Sequence, residues 1–503
     1  MIEFLQALLQ AAQNVFLSPE NIAWILGGTL LGIIIGAIPG LGPALGVAII
    51  IPFTLKMDTV PALLFAISVY DGAMYGGSIS SILLNTPGDA SAAATTIEGY
   101  PMAKQGKAID ALMACGVASA LGGVIGDIIV IAFCTVIGSF ILLFGTPEYF
   151  LLGVLGIIVV SRVSKGAFFK GIISGLLGLG VTTIGIATMS ADVRFTFGVW
   201  ELFDGIPFIA VLMGMFGVAT MSQLAGEPQG TISKEELKGS RKNGILIALK
   251  EWPTIIKCSI IGFLIGAFPG TGGSVANFVA YGETVRANPT ETFGNGNPKG
   301  LVATESSNNA MINGALLPTL LFGIPGSGTC AAFLAIMILH GFRWGHSLFS
   351  GEGLVILLTI FVALVLSEIV IIVFSFLTAR HIGLVTTINK NLIIPFVIVM
   401  AALGIFTLRF SFIDLLAMGI FGFVGFIMNR YGYPIVPAVM GAILGGIIEE
   451  NFLRSLMLEN GAWIFINPFT HPLSLVLVLL IIFVFFQPIL ASIIDKRRGV
   501  GGH

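Results

Sequence analysis

Runs of about twenty predominantly apolar residues, the length that crosses a bilayer, recur from Ile22 to Leu490. No other feature constrains the fold as tightly, because hydrocarbon offers main-chain polar groups no partner and admits only helices or closed barrels. Charged residues make up 10% of the 503, against about 25% in a soluble domain. The expected fold is an all-α polytopic membrane protein with about 11–13 membrane segments. A formal net charge of −2, without a long basic tract, argues against nucleic acid as a partner. Cys115, Cys134, Cys258 and Cys330 lie far apart in apolar stretches and read as buried thiols rather than metal ligands.

Polar stretches divide the chain. Residues 1–20 carry "IEFLQALLQAAQNVF", which reads as an interfacial amphipathic helix; the start lacks the basic region of a signal peptide. Residues 21–225 and 253–470 form two membrane halves around a hydrophilic connector, 226–252, and residues 471–503 add a transmembrane helix with a basic tail. Basic residues cluster at Lys104/Lys107, at Arg162/Lys165/Lys170, from Lys234 to Lys250 and at 495–499. The positive-inside rule puts these in the cytoplasm. The N-terminus is then periplasmic and the C-terminus cytoplasmic, with Ser190–Gly205 and Glu459–His471 outside.

The halves echo one another. "IGAIPGLG" returns as "IGAFPGTG" at an offset of 230 (35 to 265), and "YGGSISSILLNTPG" as "NGALLPTLLFGIPG" at an offset of 238 (88 to 326). The difference places a net insertion of eight residues between them, within Ala287–Gly300. Pro207/Met213/Gly214 likewise return as Pro434/Met440/Gly441. The last pair runs toward the cytoplasm in the first half and away from it in the second. Inverted repeats with interrupted helices are the pattern of secondary transporters.

Four Gly/Pro interruptions fall in otherwise apolar segments: Pro39–Pro43, Asn85–Ser91, Pro269–Ser274 and Gly323–Thr329. A broken helix presents main-chain N–H groups and a positive dipole end to an anion, and its unwound carbonyls to a cation. The candidate substrate-binding residues are therefore Pro39, Gly40, Gly42, Ser78, Asn85, Thr86, Pro87, Gly88, Pro269, Gly270, Thr271, Gly272, Asn308, Asn309, Pro325, Gly326 and Ser327. The competing reading is tight turns or close helix packing through small residues.

Ionisable residues in membrane segments are costly and default to function. Asp71 and Glu305, with Asn85 and Asn309, are the ion-coupling candidates for Na⁺ or H⁺; no cofactor and no other metal is expected. The 238 offset aligns Asp71 with Asn309. A structural carboxylate at Asp71 is the alternative. Asp127 and Glu368 read as satisfied structural acids, Glu450 and Arg454 as a local i,i+4 pair. Lys56, Arg194, Arg286 and Arg343 are candidate charge complements to a polyanion.

Five stretches resemble the large membrane subunit of the tripartite tricarboxylate transporter family: "GAIPGLGPA" (Gly36–Ala44), "YDGAMYGGSISSILLNTPG" (Tyr70–Gly88), "IEGYPMAKQGKAIDAL" (Ile97–Leu112), "ESSNNAMINGALLPTLLFGIPGSG" (Glu305–Gly328) and "YGYPIVPAVMGAILGGIIEENFLRSL" (Tyr431–Leu456). The resemblance implies a bacterial inner-membrane protein that imports citrate-like carboxylates on an ion gradient. It also implies two partners, a small four-helix membrane subunit and a periplasmic solute-binding protein. Asp71, where an uncharged residue is expected, and "HGFRWGHS" (His340–Ser347) depart from the pattern. Alternating access, with an elevator-like motion by analogy, is the expected mechanism; a stand-alone carrier or an anion channel is the alternative. An intramembrane enzyme is not expected, because neither H-E-x-x-H nor G-x-S-x-G is present.

Overall fold

The computed structural model describes residues 2–141, 143–163, 168–187, 189–226, 237–342, 344–382, 390–458 and 461–498. In chain order the helices are α1 (Ile2–Phe16), α2 (Pro19–Ala37), α3 (Gly42–Thr54), α4 (Thr59–Leu84), α5 (Thr96–Lys104), α6 (Ala108–Ile141) and α7 (Thr146–Val163). Then come α8 (Phe168–Thr182), α9 (Phe208–Leu212), α10 (Ala219–Gly226), α11 (Arg241–Lys250), α12 (Trp252–Gly266), α13 (Gly272–Ala287) and α14 (Pro298–Phe322). The last are α15 (Gly328–Leu339), α16 (Gly351–Thr378), α17 (Lys390–Arg409), α18 (Phe412–Arg430), α19 (Ile435–Leu458) and α20 (Pro472–Arg498). A π-helical turn, Met213–Val218, joins α9 to α10. Strands β1 (Gly185–Ile186) and β2 (Val193–Arg194) form a short antiparallel ribbon with Gly185 opposite Arg194.

Among the described residues, seven helices are long and apolar enough to cross a membrane, and six shorter apolar ones accompany them. The chain is a multi-pass, all-α membrane protein, as its sequence leads one to expect. Lys165, Lys234, Arg343, connector residues 227–236 and tail residues 499–503 lie outside the described residues.

Small residues decide which helices lie closest. Gly28, Gly32 and Gly36 stand four apart on α2, which starts at Pro19 behind the Ser18 cap. A Cβ on Gly32 would lie 2.3 Å from the Val69 carbonyl oxygen, and one on Gly72 of α4 would lie 2.2 Å from that of Thr29. The two backbones are in contact, and any larger residue would drive them apart. The same packing recurs in the second half. There a Cβ on Gly262 of α12 would lie 2.3 Å from the Ser307 carbonyl oxygen of α14, and one on Gly314 would lie 2.1 Å from that of Phe263. Each of these contacts maps onto one in the first half by the offsets 230 and 238. The third echo behaves alike: Gly214 presses on Met418 and Gly441 on Gly175.

The helices sort into two packed groups. α2, α4, α6, α12, α14 and α16 form the first, with α1 along α16 and α11 along α6. α7, α8, α9, α10, α18, α19 and α20 form the second, with α17 packed against α18 and α10. Each half of the sequence contributes its earlier helices to the first group and its later helices to the second.

Residues 294–297, within the stretch expected to hold the net insertion, fold around a carboxylate of the first half. Glu98 accepts hydrogen bonds from the N–H groups of Gly294, Gly296 and Asn297 at 2.6, 2.7 and 2.7 Å, and from the Tyr281 hydroxyl at 2.8 Å. All four cysteines are buried and unbridged.

Candidate functional site

The four interruptions meet at one cavity of about 400 Å³ between the two helix groups, a volume in the small-molecule range. Within each half the breaks are stitched to one another: Gly40 donates its N–H to the Gly88 carbonyl at 3.2 Å, and Gly270 donates to Gly326 at 2.9 Å. Gly88 in turn donates to Gly77, and Gly326 to the Thr319 hydroxyl at 3.1 Å. The breaks thus satisfy part of their own backbone, which lipid could not.

The backbone conformation repeats as well. Gly40 and Gly270 have φ of 84° and 80°, and Gly42 and Gly272 have φ of 53° and 60°, where side chains other than hydrogen are strained. Asn85 and Gly323 end α4 and α14 in the left-handed conformation, at φ 56° and 68°, as helix C-caps do.

Three helices begin on the cavity wall: α3 at Gly42, α13 at Gly272 and α15 at Gly328. First-turn N–H groups have no partner within their own helix and carry the positive end of its dipole. Hydroxyls of Tyr70, Ser91, Thr220, Thr271, Ser274, Ser327 and Thr329 surround them. No Lys, Arg or His lines the cavity among the described residues, and its single acid is Asp89. The chemistry on offer is hydrogen-bond donation to an anion without a fixed countercharge.

Of the residues singled out from sequence, Gly40, Gly42, Gly270, Thr271, Gly272 and Ser327 line this cavity. Pro39, Pro87, Gly88, Pro269, Pro325 and Gly326 shape the breaks from behind; a Cβ added to Gly88 would lie 2.3 Å from the Gly36 carbonyl oxygen. Asn85 and Thr86 are exposed and stand away from the lining. Asn308 accepts from Asn277 at 2.9 Å and donates to the Met74 carbonyl at 3.2 Å. Asn277 also donates to the Ser91 carbonyl at 2.9 Å, tying the second half to a break of the first.

Ser78 and Glu305 form a separate buried centre. The Glu305 carboxylate accepts from Ser78 at 2.8 Å, from Ser119 at 3.0 Å, from the Cys115 thiol at 3.1 Å and from Thr95. Four donors from α4, α6 and the turn before α5 saturate it, so it fastens these elements together. Asp71 and Asn309 are in direct contact, with Asn309 Nδ2 3.1 Å from Asp71 Oδ1. The same nitrogen lies 3.1 Å from Glu368 Oε1.

Asp127 and Glu368 differ from the expectation of isolated, satisfied acids. Glu368 joins Asp71 through Asn309, while both carboxylate oxygens of Asp127 lack a hydrogen-bond partner. Sequence alone could not bring them together, because they stand on different helices. Arg194 and Arg286, read as complements to a substrate, pair instead with Glu449 and Glu283 at 2.6 and 2.9 Å. Glu450 and Arg454 form their i,i+4 pair at 2.5 Å.

Tyr70, Met74, Asp89, Phe216, Thr220 and Val436 also line the cavity and were not singled out as site residues from sequence. A signal for Asp89 existed. The 238 offset maps it onto Ser327, and both act as caps: Asp89 accepts from Ala92 N–H at 3.3 Å, Ser327 from Cys330 N–H at 3.1 Å.

Residues 22–440 match the family described as Tripartite tricarboxylate transporter TctA family. An uncharacterized 52.8 kDa protein in the TAR-I ttuC' 3' region of Agrobacterium vitis is 31% identical over 493 residues, covering 96% of each chain. An uncharacterized protein in the TAR-II ttuC' 3' region of the same organism is 27% identical over 245 residues, 48% of this chain and 98% of that one. No solved structure matches. With the family signature running from α2 into α19 and a relative similar along nearly its whole length, the chain belongs to the tripartite tricarboxylate transporter TctA family and is a membrane component of tricarboxylate transport.

Proposed function

We propose that this chain is the large transmembrane subunit of a binding-protein-dependent secondary transporter, and that the cavity holds a tricarboxylate or related carboxylate during import. The observation that carries this reading is the convergence of three helix N-termini on a cavity that no basic side chain among the described residues lines. Main-chain donors can bind a carboxylate and release it again, whereas a buried Lys or Arg would hold it more tightly. Its partners on this reading are a small four-helix membrane subunit and a periplasmic solute-binding protein in a bacterial inner membrane, with the N-terminus periplasmic and the C-terminus cytoplasmic.

Transport is driven by a gradient of Na⁺ or H⁺ through alternating access. The two-group packing favours an elevator-like motion, in which the first group carries the breaks past the second. The recurring contacts between equivalent helices support the repeat; its inverted direction rests on the charge pattern of the loops.

The test is uptake of a labelled carboxylate panel by the protein co-reconstituted with its small subunit. Each assay runs with and without an imposed Na⁺ or pH gradient, and with and without the binding protein. Uptake that requires both a gradient and the binding protein is expected. Uptake indifferent to both would overturn the reading in favour of a stand-alone carrier or an anion channel.

A further inference from the structure

Three acids from three helices converge inside the first helix group: Asp71 of α4, Asp127 of α6 and Glu368 of α16, at 0%, 0% and 1% exposure. Asn309 Nδ2 is 3.1 Å from Asp71 Oδ1 and 3.1 Å from Glu368 Oε1, so those two oxygens are at most 6.2 Å apart. Ser367 donates to Asp71 Oδ2 at 2.5 Å and shares a 2.9 Å hydrogen bond with Thr29. Asp127 stands one turn along α6 from Gly123, which faces Glu368. The helix backbone makes room for them: a Cβ on Gly123 of α6 would lie 1.6 Å from Glu368 Oε1.

The cluster has no countercharge. The helices around it are α2, α4, α6, α12, α14 and α16; Lys257 of α12 pairs with Glu283 at 2.9 Å, and the one other basic residue is Lys299. It precedes Asn309 by ten positions, about 15 Å along the helix. The other acids on these helices are Glu20, Asp110 and Glu352, each in a first turn, and Glu305, one turn from Asn309 and already served by four donors. Buried carboxylates this close do not all ionise without a cation or a proton among them.

The second observation is the kind of atom left unpaired. Both Asp127 oxygens, Asn309 Oδ1 and Asn313 Oδ1 are buried and have no hydrogen-bond partner of ordinary geometry among the described residues, although the Asn313 side chain lies beside Asp127. All four are acceptors. What the cluster lacks is a donor. A metal ion fits poorly, because Asn309 turns its N–H₂ group to both carboxyls and the Ser367 proton is spent on Asp71. No group of three His, Cys, Asp or Glu residues stands in a metal-holding arrangement among the described residues.

We propose that Asp71, Glu368 and Asp127, bridged by Asn309, form a proton-binding site, and that this proton is the coupling ion. The second clause rests on the transport reading above; the first does not. A proton taken from water forms an O–H bond on one carboxyl, which donates to its neighbour, and release breaks that bond and restores the carboxylate. The site adjoins the cavity through α4, where Tyr70 precedes Asp71 and its hydroxyl lies 3.1 Å from that of Ser327.

Infrared difference spectroscopy on the full chain in lipid tests this directly, by following the C=O stretch of a protonated carboxylic acid and its shift in D₂O as pH is varied. A titrating band is expected in the wild type, unchanged when Na⁺ replaces choline. Asp71→Asn and Glu368→Gln should each abolish it, while the surface variant Glu291→Gln should leave it intact. A band that does not titrate, survives in both cluster variants or collapses on addition of Na⁺ overturns the proposal. Should a cluster variant fail to fold, the wild-type pH and Na⁺ titrations still decide. Because the readout needs no transport, absent uptake with a titrating band removes the transport reading alone, and uptake without the band removes the proton site alone.

Discussion

Asn309 donates to Asp71 across 3.1 Å, and the two residues are separated by the same 238 positions as Gly88 and Gly326. Each therefore touches the residue at the matching offset in the other half of the chain, as at an isologous interface. Neighbouring contacts are reciprocal: α3 packs on α15, while α13 packs on the 3-10 turn Ser91–Ala93 that stands where α15 begins in the second half. The acid cluster lies where the two halves meet, and at the pair Asp71/Asn309 the halves differ by a single functional group, a carboxyl in one and an amide in the other.

That relationship makes a swap informative. Asn309→Asp alone adds a fourth acid to the cluster, whereas Asp71→Asn with Asn309→Asp restores one carboxyl and one amide at the same two positions. The double variant should unfold closer to the wild type than additivity of the single changes allows, by about 0.5–3 kcal/mol. Thermal unfolding in detergent measures it; strict additivity would mean that the contact carries no energy.

Gly123→Ala tests the tightness of the same region from the other side. The new methyl group displaces the Glu368 carboxyl, at a cost of about 1–3 kcal/mol by overpacking. Combining it with Glu368→Ser should recover much of that loss. No recovery would show that α6 itself, rather than the carboxyl, sets the limit.

Gly40→Ala and Gly270→Ala should both destabilise by about 1–2 kcal/mol, since each forces a side chain into the left-handed region. The second should cost more. An added Cβ at Gly270 lies 2.4 Å from Val160 Cγ2, whereas at Gly40 the nearest atom, of Leu224, is 3.6 Å away. Val160→Ala should relieve part of the Gly270→Ala defect and none of the Gly40→Ala defect. Equal responses would contradict the difference in space between the two sites.

These glycines also show what a sequence reader can and cannot see. Gly40, Gly42, Gly270 and Gly272 are legible because Gly and Pro in lipid demand a reason, and the repeat doubles the signal. The breaks, their pairing and the helical fold follow from local pattern and from offsets within the chain. Asn85 illustrates the limit: its polarity in a break is legible, but its place as the exposed, left-handed cap of α4, away from the cavity lining, is not. Glu368 illustrates the opposite limit, since a lone acid in an apolar helix acquires meaning only when Asp71 and Asp127 arrive from other helices. Packing direction, not residue type, was the missing information.

Glu98→Ala should free three main-chain N–H groups in 294–297 and the Tyr281 hydroxyl, at a cost of at most about 1–3 kcal/mol for each donor that stays out of water, least at the exposed Gly294. Hydrogen exchange at Gly294, Gly296 and Asn297 should accelerate while α2 and α4 stay protected. Unchanged exchange at these three amides would mean that the loop holds itself.

A pH dependence follows for the surface pair beside that loop. The hydrogen bond from Lys299, at 2.6 Å, holds the Glu291 carboxyl below the ordinary carboxylate range. A depressed folded-state value stabilises above the unfolded value of about 4.3 and is lost as pH falls through the folded one. Wild type and Glu291→Gln should differ by less than about 1 kcal/mol at neutral pH, because the pair is partly exposed, and converge in acid. A gap that widens in acid would reverse the assigned sign.

The two walls of the cavity differ in composition. The first helix group brings its glycine-rich breaks together with Tyr70, Met74 and Met311; the second brings Val160, Phe216, Thr220 and Val436, none of them glycine. If the main-chain N–H groups of the breaks hold the charge of the cargo, that part of the grip is written in backbone and is not removed by changing one side chain. The opposite wall can be retuned. Changes at those four positions would alter the outline of the acceptable molecule while its anionic end is held as before, so one architecture could serve a series of carboxylates of different shape.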